Sequence, residues 1–144
     1  MTKPRDYFTG KQEEFKRSEV QIAPYNPRKI SPQQKATLKR SIRKFGVVGG
    51  ITVNKPTMTI VGGNQKVTIV DEIMGYPEKD YTLLAEAVNV DYKTEVELNF
   101  MLNSENAHGE WDDMKVRELL PDINYMDAGL TEEELVCYAR VTEK

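Results

Sequence analysis

The sequence predicts an α+β fold, in which a small mixed sheet is covered by helices and further helices pack alongside. Three observations support this class. β-prone runs recur along the chain, near residue 20 and at 47–54, 58–61 and 81–90. Runs with apolar residues three or four positions apart, the spacing of one helix face, lie between and after them. Glycine and proline separate the two kinds of run, as is typical of turns.

The composition is that of a small, well-solvated domain. Of 144 residues, 39% are hydrophobic and 30% charged, which suffices for one core. No apolar run approaches the roughly 20 residues of a membrane span, and the N-terminus lacks an apolar stretch of the signal-peptide kind. The single cysteine, Cys137, excludes an internal disulfide and fits a reducing compartment. We therefore predict a cytoplasmic protein with no membrane association and no metal site built from soft ligands.

The charge is distributed unevenly along the chain. Residues 1–66 hold 14 Lys and Arg against 4 Asp and Glu, whereas residues 67–144 hold 6 against 19. A basic half of this kind could bind an anion such as a nucleotide or a nucleic acid. Equally, the two halves could simply attract each other, and both interpretations stay open.

The N-terminal region is polar as far as residue 19. Phe8 and Phe15 are seven residues apart, which is compatible with a short helix, and a flexible arm is the alternative. Residues 20–22 then alternate between apolar and polar, which predicts a short strand.

A bend that contains two prolines follows, and Arg28 comes directly after it. We call it the proline-braced bend. The residues before Pro24 and Pro27 are pushed out of the helical region, so the backbone is extended or turned there. The guanidinium of Arg28 presents a fork of donors that suits a phosphate or a carboxylate. Its alternative role is a salt bridge that braces the loop.

The first long helix has clear signals at both ends. Ser31 at the N-cap and Gln34 three residues later form a capping box around Pro32, and Gly46 suits the C-terminal end. The apolar residues at i, i+4 and i+7 that should be buried are Leu38, Ile42 and Phe45. The remaining face is basic, with Lys35, Lys39, Arg40, Arg43 and Lys44. We interpret this face as solvated, with contact to a nucleic acid backbone as the alternative.

The feature around which the chain is organised is a double-glycine junction. A strand over residues 47–54, interrupted by glycines, turns back into a strand at 58–61, which runs into Gly62 and Gly63 and then into a helix with Val67, Val70 and Met74 on one face. Such a junction leaves backbone N–H groups at the helix start, where the helix dipole also favours an anion. Lys66 can add a full positive charge. The alternative is a tight strand–helix turn without a ligand.

The C-terminal third predicts helices. Capping signals stand at Thr94, Asp112 and Thr131. The side chains expected to face inward are Val96, Phe100, Met101, Leu119 and Leu120. Trp111 is interpreted as a staple that anchors the helix after Asp112, and Cys137 as a core residue. His108, in a polar turn, has no catalytic role in this interpretation.

The order of these signals resembles the N-terminal domain of ParB-like proteins, the fold shared with sulfiredoxin. The segments that carry the resemblance are Pro24-Tyr25-Asn26-Pro27-Arg28, the capped helix ending at Gly46, Ile51-Thr52-Val53 and Ile60-Val61-Gly62-Gly63-Asn64-Gln65-Lys66. The later Asn103 to Asp112 stretch is similar to a branch found in phages and mobile elements, where the domain often precedes a DNA methyltransferase. The resemblance covers roughly residues 20–121.

The resemblance implies a nucleotide site. Partition proteins of the family bind CTP and sulfiredoxins bind ATP, which leaves the base open and Mg²⁺ as a companion of the triphosphate. The residues that would wrap the phosphates are Gly62, Gly63, Asn64, Gln65 and Lys66. Arg28 would be a further phosphate contact, residues 45–51 would line the pocket, and Asn103 or Asn106 would help to hold the triphosphate or its magnesium.

Departures from the family pattern bear on catalysis. Partition proteins usually read Gly-Glu-Arg-Arg at the junction, and the acidic residue proposed to assist hydrolysis is missing here, since Asn64 follows Gly63. A proline usual before the third strand is replaced by Gly50. The catalytic cysteine of sulfiredoxins has no counterpart at the loop, so that reductase activity is not expected. The helix-turn-helix region of partition proteins is not expected after residue 121.

The sequence by itself leaves three candidate functions open. The first is a nucleotide-binding ParB-like domain that acts in a DNA-associated process, with DNA or a DNA-processing protein as partner. The second is a nuclease or NTPase, for which Glu105, Glu110, Asp112 and Asp113 could bring a metal, although no catalytic residue can be named. The third is a protein-interaction adaptor. We divide the chain into an N-terminal arm (1–19), the ParB-like domain (20–121) and its helical C-terminal extension (122–144); its oligomeric state is undetermined.

Overall fold

A computed structural model of the chain describes residues 6–26, 28–104 and 111–140, without the side chains of 137–140. The strands are β1 (Lys11–Lys16), β2 (Gln21–Ile22), β3 (Thr52–Asn54), β4 (Thr59–Gly62) and β5 (Thr82–Val88). The helices are α1 (Pro32–Phe45), α2 (Asn64–Met74), α3 (Tyr92–Asn103), α4 (Asp113–Leu119) and α5 (Glu132–Arg140). Short 3-10 turns lie at Arg17–Glu19 and Leu120–Asp122.

The chain divides by its contacts into two compact units. The first comprises the described parts of residues 1–29 and 47–104 and contains all five strands with α2 and α3. The second comprises residues 30–46 and the described part of 105–144, with α1, α4 and α5. The predicted division at residues 19 and 121 stays a prediction.

The first unit is built on a mixed five-stranded sheet in the order β1-β5-β3-β4-β2. The central strand β3 runs parallel to β5 and antiparallel to β4. At the edges, β1 is antiparallel to β5 and β2 is parallel to β4. The predicted α+β class with a small mixed sheet is confirmed.

The edge strand β1 corrects the expectation of a helix or flexible arm before residue 19. Lys11–Lys16 pairs with β5 over six residues, with Phe15 opposite Leu83. Phe15 is its only buried residue and joins the core. One inward apolar side chain among five polar ones is too weak an alternation to identify a strand, and the partner lies about seventy residues away in the chain.

Strand β3 is shorter than predicted. It covers Thr52–Asn54, whereas the sequence suggested 47–54, and Val47 and Val48 are exposed. Gly49 and Gly50 have φ of 65° and 78°, a left-handed conformation outside the extended range of a regular strand. The two glycines therefore form a loop ahead of the strand.

The core of the first unit lies between the sheet and α2. Its central members are Val53, Ile60, Val67 and Leu83. On α2 the predicted stripe holds only in part: Val67 is buried, Val70 is half-buried, and Met74 is exposed. Ile69 is the other fully buried apolar residue of this helix, so α2 is covered on more than one side.

Helix α3 reverses the predicted burial. Phe100 and Met101, expected inside, are 56% and 48% exposed, and Val96 is half-buried. The buried residues of the helix are instead Glu95 and Asn99, which are four positions apart and therefore on one face. The helix is also capped earlier than predicted, because the side chain of Asp91 accepts a hydrogen bond from the Thr94 N–H.

The second unit confirms the capping box of α1. Ser31 and Gln34 hydrogen-bond each other's backbone N–H groups, and the N–H of Gly46 closes the helix on Ile42. Of the predicted stripe, Ile42 is buried and Leu38 half-buried, but Phe45 is 55% exposed.

Part of the basic face of α1 is neutralised within the second unit. Lys44 Nζ and Arg40 Nε contact the two carboxylate oxygens of Asp127 at 2.6 and 2.7 Å. These two cations, Lys44 first, hold the pKa of Asp127 below its ordinary value. The face is thus not uniformly available to an anion, contrary to its appearance in the sequence.

The C-terminal helices carry the predicted caps. Asp112 accepts a hydrogen bond from the Lys115 N–H, and Thr131 and Glu134 form a reciprocal box. Their predicted burial is wrong for Trp111 and Leu119, which are largely exposed, whereas Leu120 is half-buried. The side chain of Cys137, and all of His108, lie outside the described residues.

Candidate functional site

The double-glycine junction has the geometry that the sequence predicts. Gly62 ends β4, and Gly63 precedes α2 with φ of 83°, ψ of 19° and no side-chain cap among the described residues. A side chain at Gly63 would be strained there, and its Cβ would stand 2.5 Å from the Gly50 carbonyl oxygen. The chain therefore reverses tightly against the Gly50–Ile51 backbone, and Leu102 lies against the other glycine, with its Cδ1 2.8 Å from where a Cβ at Gly62 would stand.

The Lys66 ammonium lies over Gly50, in the glycine pair that precedes β3. A Cβ at Gly50 would come within 2.5 Å of Lys66 Nζ. The absence of a side chain at Gly50 therefore makes room for Lys66. The result is a positive charge close to the first turn of α2, where the helix dipole adds to it.

Arg28, Gln65 and Asn103 are brought together from three segments of the first unit. Gln65 Nε2 donates to the Arg28 carbonyl oxygen at 3.1 Å, which holds the proline-braced bend next to the first turn of α2. Arg28 Nη1 donates to Asn103 Oδ1 at 3.3 Å. Asn103 Nδ2 in turn donates to the carbonyl of Asn99 at 2.8 Å. The guanidinium is exposed, and its hydrogen-bond partner is neutral.

The structure does not present the side chains of Asn64 and Asn106, two of the predicted phosphate contacts, as open donors. Asn64 is buried, and its Oδ1 accepts a hydrogen bond from the Ala23 N–H at 3.0 Å. This side chain ties the segment after β2 to α2, so it faces the protein. Asn106 lies outside the described residues.

Asn99 is a site-supporting residue that the sequence did not reveal. It is fully buried, and its Nδ2 donates to the Val61 carbonyl at 2.8 Å. Its Oδ1 has no hydrogen-bond partner among the described residues. The bond to Val61 fixes α3 on β4 one residue before Gly62, and so sets the position of Asn103 relative to the junction.

Glu95 forms a second buried polar centre on the same face of α3. Its carboxylate accepts hydrogen bonds from Tyr25 Oη at 2.6 Å, from Asn54 Nδ2 at 2.8 Å and from Thr57 Oγ1. Burial by itself raises the pKa of Glu95, but these hydrogen bonds outweigh it and the pKa lies below the ordinary value. The carboxylate thus joins α3 to the bend that carries Arg28 and to the β3–β4 turn.

A third polar cluster, around Arg17 and Asp71, is fully paired. Arg17 Nε contacts both carboxylate oxygens of Asp71, at 2.9 and 3.1 Å, and Nη1 donates to the Val20 carbonyl at 2.8 Å. Tyr81 Oη donates to Asp71 at 2.6 Å, and the Tyr76 ring lies 4.3 Å from the guanidinium carbon. Burial, followed by the bond to Asp71, raises the pKa of Tyr81. The cluster fastens the β1–β2 connection to α2.

Two cavities of the first unit are lined by residues near the candidate site. One, of about 460 Å³, is lined by Arg28, Phe100, Met101, Asn103 and Ser104. The other, of about 510 Å³, includes Val47, Gly49, Gly50, Ile51 and Leu102 in its mostly apolar lining. The predicted pocket-lining stretch 45–51 thus contributes four residues to the second cavity.

The part of the chain that the structure describes contains neither a cluster of metal-binding side chains nor a membrane-spanning helix. No group of three or more His, Cys, Asp or Glu side chains is placed there to hold a metal ion. None of the described helices has the length and apolar character needed to cross a bilayer. Glu105 and Glu110, proposed from the sequence as metal carriers, lie outside the described residues.

Comparison with known proteins places the fold in the ParB-like class. No family model and no curated protein matches the chain. Among solved structures, it is similar to the C-terminally truncated chromosome-partitioning protein ParB from Caulobacter crescentus, complexed with CTP-gamma-S. The TM-score is 0.57 at 19% identity, and the match covers 77% of this chain and 63% of that one. The fold predicted from the resemblance is confirmed.

Proposed function

We propose that the chain binds a nucleoside triphosphate at the start of α2. The observation that carries the proposal is the convergence of Arg28, Gln65 and Asn103 beside the glycine junction at which α2 begins. Phosphates bind where helix N–H groups, the helix dipole and charge-assisted donors meet. The solved ParB structure with CTP-gamma-S, which has a similar fold, supports this choice of ligand.

Each residue of the site has a distinct role in this proposal. Gly62 and Gly63 let the phosphates approach the backbone of α2, and Lys66 supplies a mobile positive charge. Arg28 donates to phosphate oxygens with the N–H groups that Asn103 does not use. Asn103 orients the guanidinium and is the amide nearest to the triphosphate. Asn64 would contribute its backbone N–H, since its side-chain oxygen is bonded to Ala23.

The described donors suit the phosphates better than a metal ion. Amide, ammonium and guanidinium groups line the site, and Mg²⁺ prefers oxygen ligands. Magnesium would therefore arrive with the triphosphate, and the chain would need to offer it at most an amide oxygen.

The biological setting belongs to the same proposal. The resemblance to the phage and mobile-element branch, and the chromosome-partitioning title of the similar structure, support a DNA-associated process in the cytoplasm. DNA itself or a DNA-processing protein would be the partner. The basic residues of α1 support contact with DNA only in part, because Arg40 and Lys44 are paired with Asp127.

A panel of ligands tests the proposed function. Melting temperatures and calorimetric affinities are measured with CTP, ATP, GTP and inorganic tripolyphosphate, each with and without Mg²⁺. At ten times Kd a ligand should stabilise the chain by about 1.4 kcal/mol. Lys66→Ala and Arg28→Ala should weaken this binding, while Lys55→Ala, on an exposed lysine outside the site, should not. The proposal is wrong if none of the four ligands binds.

A further inference from the structure

The exposed aromatic ring of Phe100 is not accounted for by folding. Phe100 is 56% exposed and its neighbour Met101 is 48% exposed, although both have the apolar character of core residues. They share the 460 Å³ cavity with Arg28 and Asn103. An aromatic face beside a cation, both open to solvent, is a common arrangement for binding a planar group.

The outward position of Phe100 is fixed by the buried polar face of α3. Glu95 is held by three hydrogen bonds and Asn99 by its bond to the Val61 carbonyl. These contacts set the rotation of the helix about its axis. Phe100 lies three residues before Asn103, so the two side chains are neighbours on the helix surface. The ring is thereby placed next to the residue that touches Arg28.

We propose that Phe100 is the platform on which the base of the bound nucleotide stacks. The inference rests on the proposed function and adds the position of the base to it. With the phosphates at the junction and on Arg28, the base would lie in the adjoining 460 Å³ cavity, with Met101 along its edge. Stacking of a base on an aromatic side chain is sequence-tolerant and changes affinity on the order of 5- to 150-fold.

The second cavity offers the base a less suitable surface. Its lining consists mainly of aliphatic residues and glycines, which give a flat π-system less than an aromatic face does. The aromatic residue in that lining, Tyr81, has its hydroxyl bonded to Asp71 and its ring in edge contact with Tyr76, so it is already engaged in the fold. The stretch 45–51 nevertheless remains the competing location, because the family resemblance implies it.

The experiment compares a nucleotide with a ligand that has only its phosphates. Affinities for ATP, CTP and inorganic tripolyphosphate are measured by calorimetry on the wild-type chain and on Phe100→Ala, Phe100→Tyr and Phe8→Ala. Phe8 is a matched control, since it is an exposed phenylalanine outside the candidate site. Circular dichroism confirms that each variant is folded, which the exposure of both rings favours.

The expected result separates the base from the phosphates. Phe100→Ala should lose 5- to 150-fold in affinity for both nucleotides and should bind tripolyphosphate as the wild type does. Phe100→Tyr, which keeps the ring, should bind nucleotide as the wild type does, and Phe8→Ala should be unchanged. Equal losses of Phe100→Ala for nucleotide and tripolyphosphate, no loss for nucleotide, or the same selective loss in Phe8→Ala would each overturn the inference. If the wild type binds neither ligand, the proposed function fails as well, which distinguishes the two failures.

Discussion

Two arginines on either side of β2 differ in the burial of the guanidinium and in the charge of its partner. Arg17, before the strand, is 7% exposed, contacts both oxygens of Asp71 and lies against Tyr76. Arg28, after the strand, is exposed and donates a 3.3 Å hydrogen bond to the amide of Asn103. The first charge is neutralised by a carboxylate, whereas the described partner of the second is neutral.

This difference indicates which arginine holds the fold and which can hold a ligand. A buried guanidinium that lost its carboxylate would leave a charge without compensation, so Arg17 is committed to Asp71. Arg28 keeps its charge and most of its N–H groups, and α2 begins beside it. Substitutions at the two positions should therefore affect different measurements.

The largest effect is expected from Arg17→Ala. The substitution leaves Asp71 with an uncompensated charge in a half-buried setting, and breaking a buried pair in this way costs about 3–5 kcal/mol. Urea denaturation followed by circular dichroism gives the free energy of unfolding. A loss below about 1 kcal/mol would mean that the two arginines do not differ in the way described.

Arg28→Ala should leave stability almost unchanged and weaken ligand binding. An exposed side chain away from the core alters the free energy of unfolding by about 0.5 kcal/mol or less. A charge-assisted hydrogen bond to phosphate contributes about 1.5–3 kcal/mol, so the Kd for nucleotide should rise tenfold or more. Calorimetry and urea denaturation on the same preparation measure both quantities. A destabilisation as large as that of Arg17→Ala would remove the contrast.

Glu95 sharpens the comparison, because it is a buried charge whose hydrogen-bond donors among the described residues are all neutral. Its pKa is lower in the folded chain than the ordinary value of 4.5, so the unfolded chain binds the proton more readily. The stabilisation is therefore complete above about pH 4.5 and is lost as the pH falls through the folded value. Glu95→Gln should lower stability at pH 7 by about 1–3 kcal/mol, because a donor is left facing a donor.

The pH dependence provides the control for Glu95. Between pH 5 and 3 the wild type should lose stability more steeply than Glu95→Gln, when both are measured by thermal melting. Glu97→Gln, an exposed substitution on the same helix, should follow the wild-type profile. Parallel profiles for wild type and Glu95→Gln would contradict the role assigned to this carboxylate.

The smallest effect is expected at the exposed pair of Lys55 and Glu13. The two side chains are 3.2 Å apart, and about half of Lys55 is accessible to solvent. Lys55→Ala should change the free energy of unfolding by less than about 1 kcal/mol, and by less still in 1 M salt. A cost comparable with that of Arg17→Ala would show that burial is not what separates these ion pairs.

Local signals in the sequence predicted much of the fold. Ser31 and Gln34 identified the start of α1, and the Thr131–Glu134 box identified α5, because a cap depends on residues within one turn. Gly63 identified the junction for a similar reason, since its conformation excludes other residues. Arg28 was predicted as a site residue from the bend before it, and the structure brings it to Asn103.

The features that the sequence did not predict depend on distant partners. Glu95 faces inward because its carboxylate accepts hydrogen bonds from Tyr25, Asn54 and Thr57, which are 38 to 70 residues away in the chain. Burial of these polar groups turned Phe100 outward, against its hydrophobic character. Likewise, the pairing of Arg17 with Asp71 spans 54 residues. No periodicity within one segment contains this information.

The outer strand β1 has a consequence for how the molecule behaves when concentrated. Lys11, Gln12, Glu14 and Lys16 are exposed along it, and it borders the sheet on one side. A neighbouring molecule that tried to extend the sheet there would have to desolvate ionised groups of both signs. This edge should therefore resist self-association by edge-to-edge strand pairing. The same charged residues that prevented the prediction of β1 from the sequence protect the edge against aggregation.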